Sequence, residues 1–219
     1  MSYPKEVLKE ALENFLVERL KEYDFNFNAK SLKFVREFDE IKNEIYFPAA
    51  KFNYANEIIQ FDCYFDIESS KFKRWHKKNF PDLSVSYYLN PENHYSKKFN
   101  RELYAAYYDF KKYDHQKIMD VIFENFVKCK NPYFLDNNTW EKIAKNSVAE
   151  DKINALIMCG KYNEAFELCS DKIEKYQKYM ESDDYKNESN PNLIEHYQYH
   201  LNRLAAKGDY LKEYIKIDL

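Results

Sequence analysis

Apolar residues near the start of the chain recur at helical spacing. The repeating positions are Val7, Leu8, Leu12, Phe15, Leu16, Leu20 and Tyr23. Spacings of three and four place them in one stripe, which is typical of an amphipathic helix. Pro4 stands where the first turn of a helix tolerates proline. The pattern therefore predicts a helix that begins near Pro4 and continues to about residue 23.

The period of the pattern then changes to two, which indicates β-strands. Residues 32–38 and 41–47 alternate, and the short gap at Asp39–Glu40 predicts a hairpin between them. The clearest strand covers residues 59–67. Its apolar face carries Ile59, Phe61, Cys63, Phe65 and Ile67, and its polar face carries Gln60, Asp62, Tyr64 and Asp66. This alternation is typical of an antiparallel sheet that is solvated on one side.

The middle of the chain mixes short helices with short strands. Residues 69–80, SSKFKRWHKKNF, predict a helix with Phe72 and Trp75 on its inner side. Residues 83–89 alternate as a strand, whereas residues 103–110 fit either a strand or a helix. Asp114 is a candidate N-cap for a further helix that ends before Asn131-Pro132. The predicted order over the first two thirds is therefore α-β-β-β-α-β-β-α.

From about Thr139 onward the pattern is helical. Ser147 and Glu150 have the S-x-x-E spacing of a capping box. The two glycines of the chain lie in matching contexts, Leu156-x3-Gly160-x-Tyr162 and Leu204-x3-Gly208-x-Tyr210. A glycine in the left-handed conformation can end a helix. We therefore predict two helical hairpins, each turning at its glycine.

These hairpins resemble the tetratricopeptide family. GKYNEAFELC and GDYLKEYIK are similar to the turn of that family into its second helix, although the second copy lacks the small residue that Ala165 supplies in the first. We expect an α+β fold with an antiparallel sheet packed against helices, followed by C-terminal helical hairpins. Residues 1–135 are the expected sheet domain, and residues 136–219 are the expected helical-hairpin region, which we expect to pack on the sheet domain.

The whole pattern also resembles uncharacterised bacterial α+β proteins of the polymorphic-toxin immunity type. Their order of elements is an N-terminal helix, an aromatic-rich meander and a helix that leads into a P-[YF]-[FL] element, which is Pro132-Tyr133-Phe134 in this chain. The resemblance implies a protein that binds a toxin and blocks its active site.

Composition restricts the possible functions. Two glycines among 219 residues exclude both glycine-rich phosphate loops, GxGxxG and GxxxxGK[ST]. The motif GxSxG of hydrolases is also absent. The chain has no apolar run of the roughly 20 residues that span a bilayer, and its N-terminus lacks the apolar segment of a secretory signal. We expect a soluble cytoplasmic protein without a membrane partner, with free cysteine thiols.

Charge is unevenly distributed, and the acidic segments provide the first candidate site. Asp62, Tyr64 and Asp66 share the polar face of the best strand, and Asp183 and Asp184 belong to an acidic segment, 181–192, that we expect to be an exposed loop. An acidic surface with a central tyrosine is suited to a basic protein partner. Two alternatives remain open: an ordinary solvated sheet face, and a Mg²⁺-dependent nuclease site on Asp62 and Asp66.

A basic segment provides the second candidate. Residues 69–112 carry ten Lys and Arg against four Asp and Glu, and the charge is densest at 71–78, KFKRWHKK. Cations interleaved with aromatic rings can bind phosphates and stack on bases, so Lys73, Arg74, Lys77 and Lys78 are candidates for binding nucleic acid. The alternative is a helix whose aromatics lie in the core and whose lysines are solvated.

No catalytic constellation is visible in the sequence. His196 and His200 lie four apart in EHYQYH, but the Glu of a zinc protease motif, H-E-x-x-H, is missing. Tyrosines are dense between residues 87 and 113 and suit either sheet packing or an interface. We therefore predict a non-catalytic protein-binding protein without metal or cofactor, with a toxin as the favoured partner and nucleic-acid binding as the alternative.

Overall fold

The structure, a computed structural model, describes residues 4–50, 59–84, 89–186 and 190–215. The chain divides into two compact units. One, here called the sheet unit, takes residues 1–69 and 93–138, and the other, the helical unit, takes residues 70–92 and 139–219. Residues 70–92 thus belong to the same unit as the C-terminal helices. The predicted division, with one boundary at residue 135, places them in the sheet domain.

The sheet unit contains all the strands that the structure describes. They are β1 (Asn26–Asn28), β2 (Lys33–Phe38), β3 (Ile41–Tyr46), β4 (Gln60–Phe61), β5 (Tyr64–Glu68) and β6 (Tyr108–Asp109). A four-stranded antiparallel sheet has the order β1-β2-β3-β5, and β4 pairs with β6 in a second, two-stranded sheet. The predicted hairpin between β2 and β3 is confirmed, with Asp39 at φ 47° in its turn.

Helices complete both units. They are α1 (Pro4–Phe15), α2 (Val17–Lys21), α3 (Ser70–Asn79), α4 (His115–Asn125), α5 (Asn131–Leu135), α6 (Trp140–Asn146), α7 (Ala149–Met158), α8 (Tyr162–Glu181), α9 (Asp183–Lys186) and α10 (Pro191–Ile215). A 3₁₀ turn covers Ser96–Lys98, and a π-helical turn, Phe126–Lys130, joins α4 to α5. Together with the antiparallel sheet, these helices confirm the predicted α+β class with C-terminal helical hairpins. No helix within the described ranges has the length and apolar character needed to cross a membrane.

The core of the sheet unit follows the predicted apolar stripes. The side chains of Leu8, Leu12, Leu16 and Leu20 on the first two helices are buried. The N-cap prediction at Asp114 is confirmed, because its side chain accepts a hydrogen bond from the Lys117 amide. On one face of the sheet the side chains of Phe34, Ile45 and Ile67 are also buried. The alternation of β2, β3 and β5 then fixes the opposite face, here called the outer face.

The predicted strand over residues 59–67 is wrong as a single element. Residues 60–61 pair with β6, residues 64–68 pair with β3, and Asp62 and Cys63 lie between the two strands. Alternation of side chains specifies faces but not pairing partners, so one continuous pattern has been divided between two sheets. Of the other strand candidates, 103–110 contains only β6, and most of 83–89 lies outside the described residues.

Only one of the two predicted glycine turns is present. Gly160 has φ +73° and follows α7, where the amides of Gly160 and Lys161 donate to Ile157 and Leu156, as in a Schellman motif. Gly208, by contrast, lies inside α10. The prediction of a second hairpin turning at Gly208 is therefore wrong, and the likeness to tetratricopeptide repeats does not extend to it.

Candidate functional site

Asp62 is held by two tyrosines in the break between β4 and β5. The Tyr64 hydroxyl donates to Asp62 Oδ2 at 3.1 Å, and the Tyr104 hydroxyl donates to Asp62 Oδ1 at 2.8 Å. Burial, together with the bond to Asp62, raises the pKa of Tyr104 to about 12. Both carboxylate oxygens thus have a phenol donor, which fixes the side chain of Asp62 in one orientation.

Tyr64 is the most exposed of the three residues predicted on this strand. Its side chain is 44% exposed, and its ring stacks on Tyr46 across the sheet with centroids 5.2 Å apart. The hydrogen bond to Asp62 raises the pKa of Tyr64, and Tyr107 is close enough to add to that effect. The exposed ring is therefore held at both ends, by the stack and by the hydroxyl bond.

Asp66 is less accessible than the strand pattern predicts. It lies opposite Glu44 on β3, and burial and then Glu44 raise its pKa, while the hydrogen bond from Tyr46 opposes the shift. Its Oδ2 atom is buried and has no hydrogen-bond partner among the described residues. Asp66 therefore contributes charge to the outer face, whereas Asp62 and Tyr64 present the groups that a partner can contact.

The outer face carries more acidic than basic groups. On β2, β3 and β5 its charged positions are Lys33, Glu37, Lys42, Glu44, Asp66 and Glu68. Lys33 Nζ lies 2.6 Å from Glu44 Oε2, and Lys42 Nζ lies 2.6 Å from Glu37 Oε1. The two lysines thus offset two of the four carboxylates. With Asp62 at its edge, this surface is here called the acidic face.

The other predicted acidic residues belong to the helical unit. Asp183 is exposed in the short helix α9, so the segment is not the uninterrupted loop that we expected. The side chain of Asp184 lies outside the described part of the structure. Tyr185 in the same helix packs its ring against Tyr179 and Tyr197.

The basic helix α3 divides into two sides, as predicted. Phe72 is buried, and the Trp75 indole N–H donates to the Tyr210 hydroxyl at 3.1 Å. The side chains of Arg74, Lys77 and Lys78 are exposed, and Lys73 is half-buried. Lys77 and Lys78 occupy the last turn, where cations interact favourably with the helix dipole, so their position also has a structural explanation.

Sequence reasoning missed a buried ionic cluster in the helical unit. Arg203 Nε donates to both oxygens of Glu150, at 2.8 and 3.0 Å, and Lys207 Nζ also donates to Glu150 Oε1. Lys207 is completely buried. Although burial opposes it, the pair of cations lowers the pKa of Glu150, and burial lowers the pKa of Lys207.

The predicted capping box of Ser147 and Glu150 is wrong, because the Glu150 carboxylate belongs to this ionic cluster instead. Glu150 directs its carboxylate to α10, and the buried Ser147 hydroxyl has no hydrogen-bond partner in the described structure. The spacing of Arg203 and Lys207, four apart on one side of a helix, was the signal available in the sequence. Nothing in the sequence, however, pairs them with an acid more than 50 positions away.

A cavity of about 520 Å³ lies beside this cluster. Arg203 closes part of its wall by donating to the Ser84 carbonyl at 2.5 Å and to the Tyr199 hydroxyl at 2.6 Å. Hydrogen bonds with Ser84 and Arg203 lower the pKa of Tyr199. His200 lines the same cavity, with its Nδ1 3.9 Å from Glu150 Oε2. The donors of the Arg203 guanidinium are thus used in hydrogen bonds within the protein, which favours a structural role for the cluster.

His76 on α3 faces this cluster from within the helical unit. Its side chain is buried among Phe72, Trp75 and Phe80, and neither ring nitrogen has a hydrogen-bond partner in the described structure. Burial, with the charges of Lys207 and Arg203, lowers the pKa of His76 to about 4. The histidine is therefore neutral at neutral pH.

Metal-ligand geometry is not found in the described ranges. The ring centroids of His196 and His200 lie 4.4 Å apart. Among the described residues, however, no group of three or more His, Cys, Asp or Glu side chains could hold a metal ion. All four cysteines are free, and Cys129 and Cys169 are buried as expected, whereas Cys63 and Cys159 are intermediate in exposure. No protein-family model, curated protein or solved structure matches this chain.

Proposed function

We propose that this chain is a non-catalytic protein that binds a protein partner through the acidic face. The observation that carries the proposal is Tyr64, an exposed ring held by Tyr46 below it and by Asp62 at its hydroxyl. Tyrosine is enriched among the residues that dominate binding energy at interfaces. A side chain already held in place loses little conformational freedom when a partner binds.

The charge of the same surface favours a basic partner. Four carboxylates and two lysines lie on the outer positions of the sheet, and Asp62 adds a further negative charge beside Tyr64. Complementary charge speeds association and selects among partners. A basic nuclease toxin fits this chemistry and the resemblance to immunity proteins. The proposed mechanism is occlusion of the toxin's active site, with Asp183 and Asp184 as a second acidic surface.

The first experiment is affinity capture from the native host, with identification of both proteins and nucleic acids. We expect one stoichiometric basic protein, whose association rate falls as salt concentration rises because complementary charges are screened. Coexpression with that protein, if it is a toxin, should restore growth of the cell. A captured protein whose binding and toxicity do not depend on the acidic face would contradict the proposal.

Replacing Tyr64 tests the central contact. We expect Tyr64→Ala to weaken partner binding by about 30-fold or more, because hot-spot truncations cost about 2 kcal/mol or more. Calorimetry with the purified partner measures the change. Tyr113→Ala is the matched control, since Tyr113 is 40% exposed in the same unit and should change the affinity less than twofold (about the scatter for a neutral surface position). Equal effects of the two variants would remove Tyr64 from the interface.

Nucleic-acid binding by α3 remains the second candidate, and the exposure of Arg74, Lys77 and Lys78 favours it. Replacing these three residues and Lys73 by Ala should abolish binding to a short single-stranded DNA, whereas binding by the native protein should weaken steeply as salt concentration rises. The control replaces Lys161, Lys175, Lys178 and Lys212, which form ion pairs on other helices of the same unit. Equal loss in both variants would indicate a general effect of charge.

A further inference from the structure

A groove of about 440 Å³ in the sheet unit combines two cations with apolar walls. Its lining residues are Ser96, Phe99, Arg101, Tyr104, Ala105 and Lys130. Lys130 is the last residue of the π-helical turn between α4 and α5. Such turns are rare and are frequently found at functional sites. The groove adjoins the acidic face, since Tyr104 lines it and donates to Asp62, but its two cations distinguish it from that face.

The Lys130 ammonium is surrounded by rings. Its Nζ lies 5.3 Å from the centroid of Phe65, 6.0 Å from Phe99 and 5.9 Å from Tyr133. Within the described ranges it makes no hydrogen bond or ion pair, and the rings offer only cation–π attraction. Burial lowers the pKa of Lys130, although the Cys63 and Cys129 thiols and Asp66 oppose the shift. The charge is thus partly dehydrated, and among the described residues Asp66 acts on it without forming an ion pair.

Arg101 supplies the second cation of the groove. Its side chain is exposed, and among the residues that the structure describes its guanidinium makes no hydrogen bond or ion pair. This contrasts with Arg203, whose guanidinium is bound by Glu150, Ser84 and Tyr199. A planar guanidinium with unused donors is suited to binding a carboxylate or phosphate through two parallel bonds.

We propose that this groove binds a small organic oxyanion, a carboxylate or a phosphate ester, that carries an apolar group. The oxyanion lies between Lys130 and Arg101, where it offsets two positive charges, and Ser96 lines the same groove. The apolar group lies against Phe99 and Ala105, which supply apolar walls. Tyr104 also lines the groove, but its hydroxyl is bound to Asp62.

The test uses phenyl phosphate, benzoate and inorganic phosphate as calorimetric probes of the whole chain. We expect saturable binding of phenyl phosphate or benzoate, and at least tenfold weaker binding of inorganic phosphate, which lacks the apolar group (one buried ring contributes more than the 1.4 kcal/mol of a tenfold change). Tighter binding of phenyl phosphate would identify phosphate esters as the preferred class of ligand, and tighter binding of benzoate would identify carboxylates. Absence of saturable binding by both aromatic probes overturns the proposal.

Two variants and one control locate the site. Arg101→Gln and Lys130→Met should each weaken binding of the preferred probe about tenfold or more, since each removes a charge-assisted bond. Lys128→Gln is the control, because Lys128 is an exposed neighbour that pairs with Glu124. Arg101 is at the surface, so its variant keeps the test valid if Lys130→Met fails to fold. Unchanged binding in Arg101→Gln would overturn the proposed site.

A labelling measurement gives an independent result. A water-soluble N-hydroxysuccinimide ester of acetic acid acylates neutral amines, and a lysine of lowered pKa has more of the neutral form. The preferred probe should slow acetylation of Lys130 at least threefold while leaving Lys128 unchanged, as expected when more than two thirds of the site is occupied. Equal rates at Lys130 with and without the probe would contradict the proposal, whatever calorimetry shows.

Discussion

Glu150→Gln is expected to lower the free energy of unfolding of the helical unit by about 3–5 kcal/mol, the usual cost of removing one partner from a buried ion pair. In the native protein one carboxylate serves both Arg203 and Lys207. Lys207 is completely buried, so without Glu150 its charge loses its hydrogen-bonded acid and has no water to replace it, while Asp151 acts on it only electrostatically. The amide of glutamine preserves the shape and removes only the charge, which isolates the electrostatic contribution.

Tryptophan fluorescence can follow this unit alone, since Trp75 and Trp140, the two tryptophans of the chain, both belong to it. Denaturant titration of Glu150→Gln is compared with Glu164→Gln. Glu164 forms an exposed pair with Lys161 and should change the stability by less than about 1 kcal/mol. A Glu150→Gln variant as stable as the control would show that the cluster contributes little.

Acidification should also destabilise the helical unit, through His76. The pKa of His76 is about 4 in the folded protein, against an ordinary value of 6.5. Well above pH 6.5 the histidine is neutral in both states, so its effect is absent there. As the pH falls below 6.5, only the unfolded chain gains the proton, and stability is lost until the pH reaches about 4. The expected loss between pH 7 and pH 5 is about 2 kcal/mol.

The pH experiment needs a variant that separates His76 from its neighbours. Lys207, Arg203 and Glu150 face His76, and a substitution at His76 leaves all three in place. Burial and then His196 lower the pKa of His200, so its effect has the same sign. We expect His76→Leu to flatten most of the pH dependence and His200→Gln to flatten less. A His76→Leu variant with an unchanged pH profile would contradict the assignment.

The sequence was informative wherever a pattern had one structural solution. The apolar stripe at 7–23 predicted a helical N-terminus, although as one helix where the structure has α1 and α2, and alternation at 32–47 predicted the β2–β3 hairpin. Asp114 was recognisable as an N-cap because the side-chain bond to the Lys117 amide depends only on local residues. These features arise from contacts within a few positions of the chain, so their sequence signals are strong.

Features that depend on distant contacts were harder to predict. Both glycines have a leucine four positions before and a tyrosine two positions after, yet Gly160 is left-handed and Gly208 is helical. The reason is that α10 continues through Gly208 and packs there against Ile173 and Cys169 of α8. For the candidate site, alternation correctly brought Asp62 near Tyr64. It could not show that Tyr104, 42 positions away, binds the same carboxylate, nor that Asp66 is half-buried.

The hydrogen bond between Trp75 and Tyr210 joins residues 135 positions apart. On a ribosome that adds about 5–20 residues per second, α3 waits about 7–27 seconds before Tyr210 is synthesised. Throughout that interval the indole ring of Trp75 lacks its contact with Tyr210. During synthesis, the nascent chain therefore presents an aromatic helix face to which a chaperone can bind until the last long helix is complete.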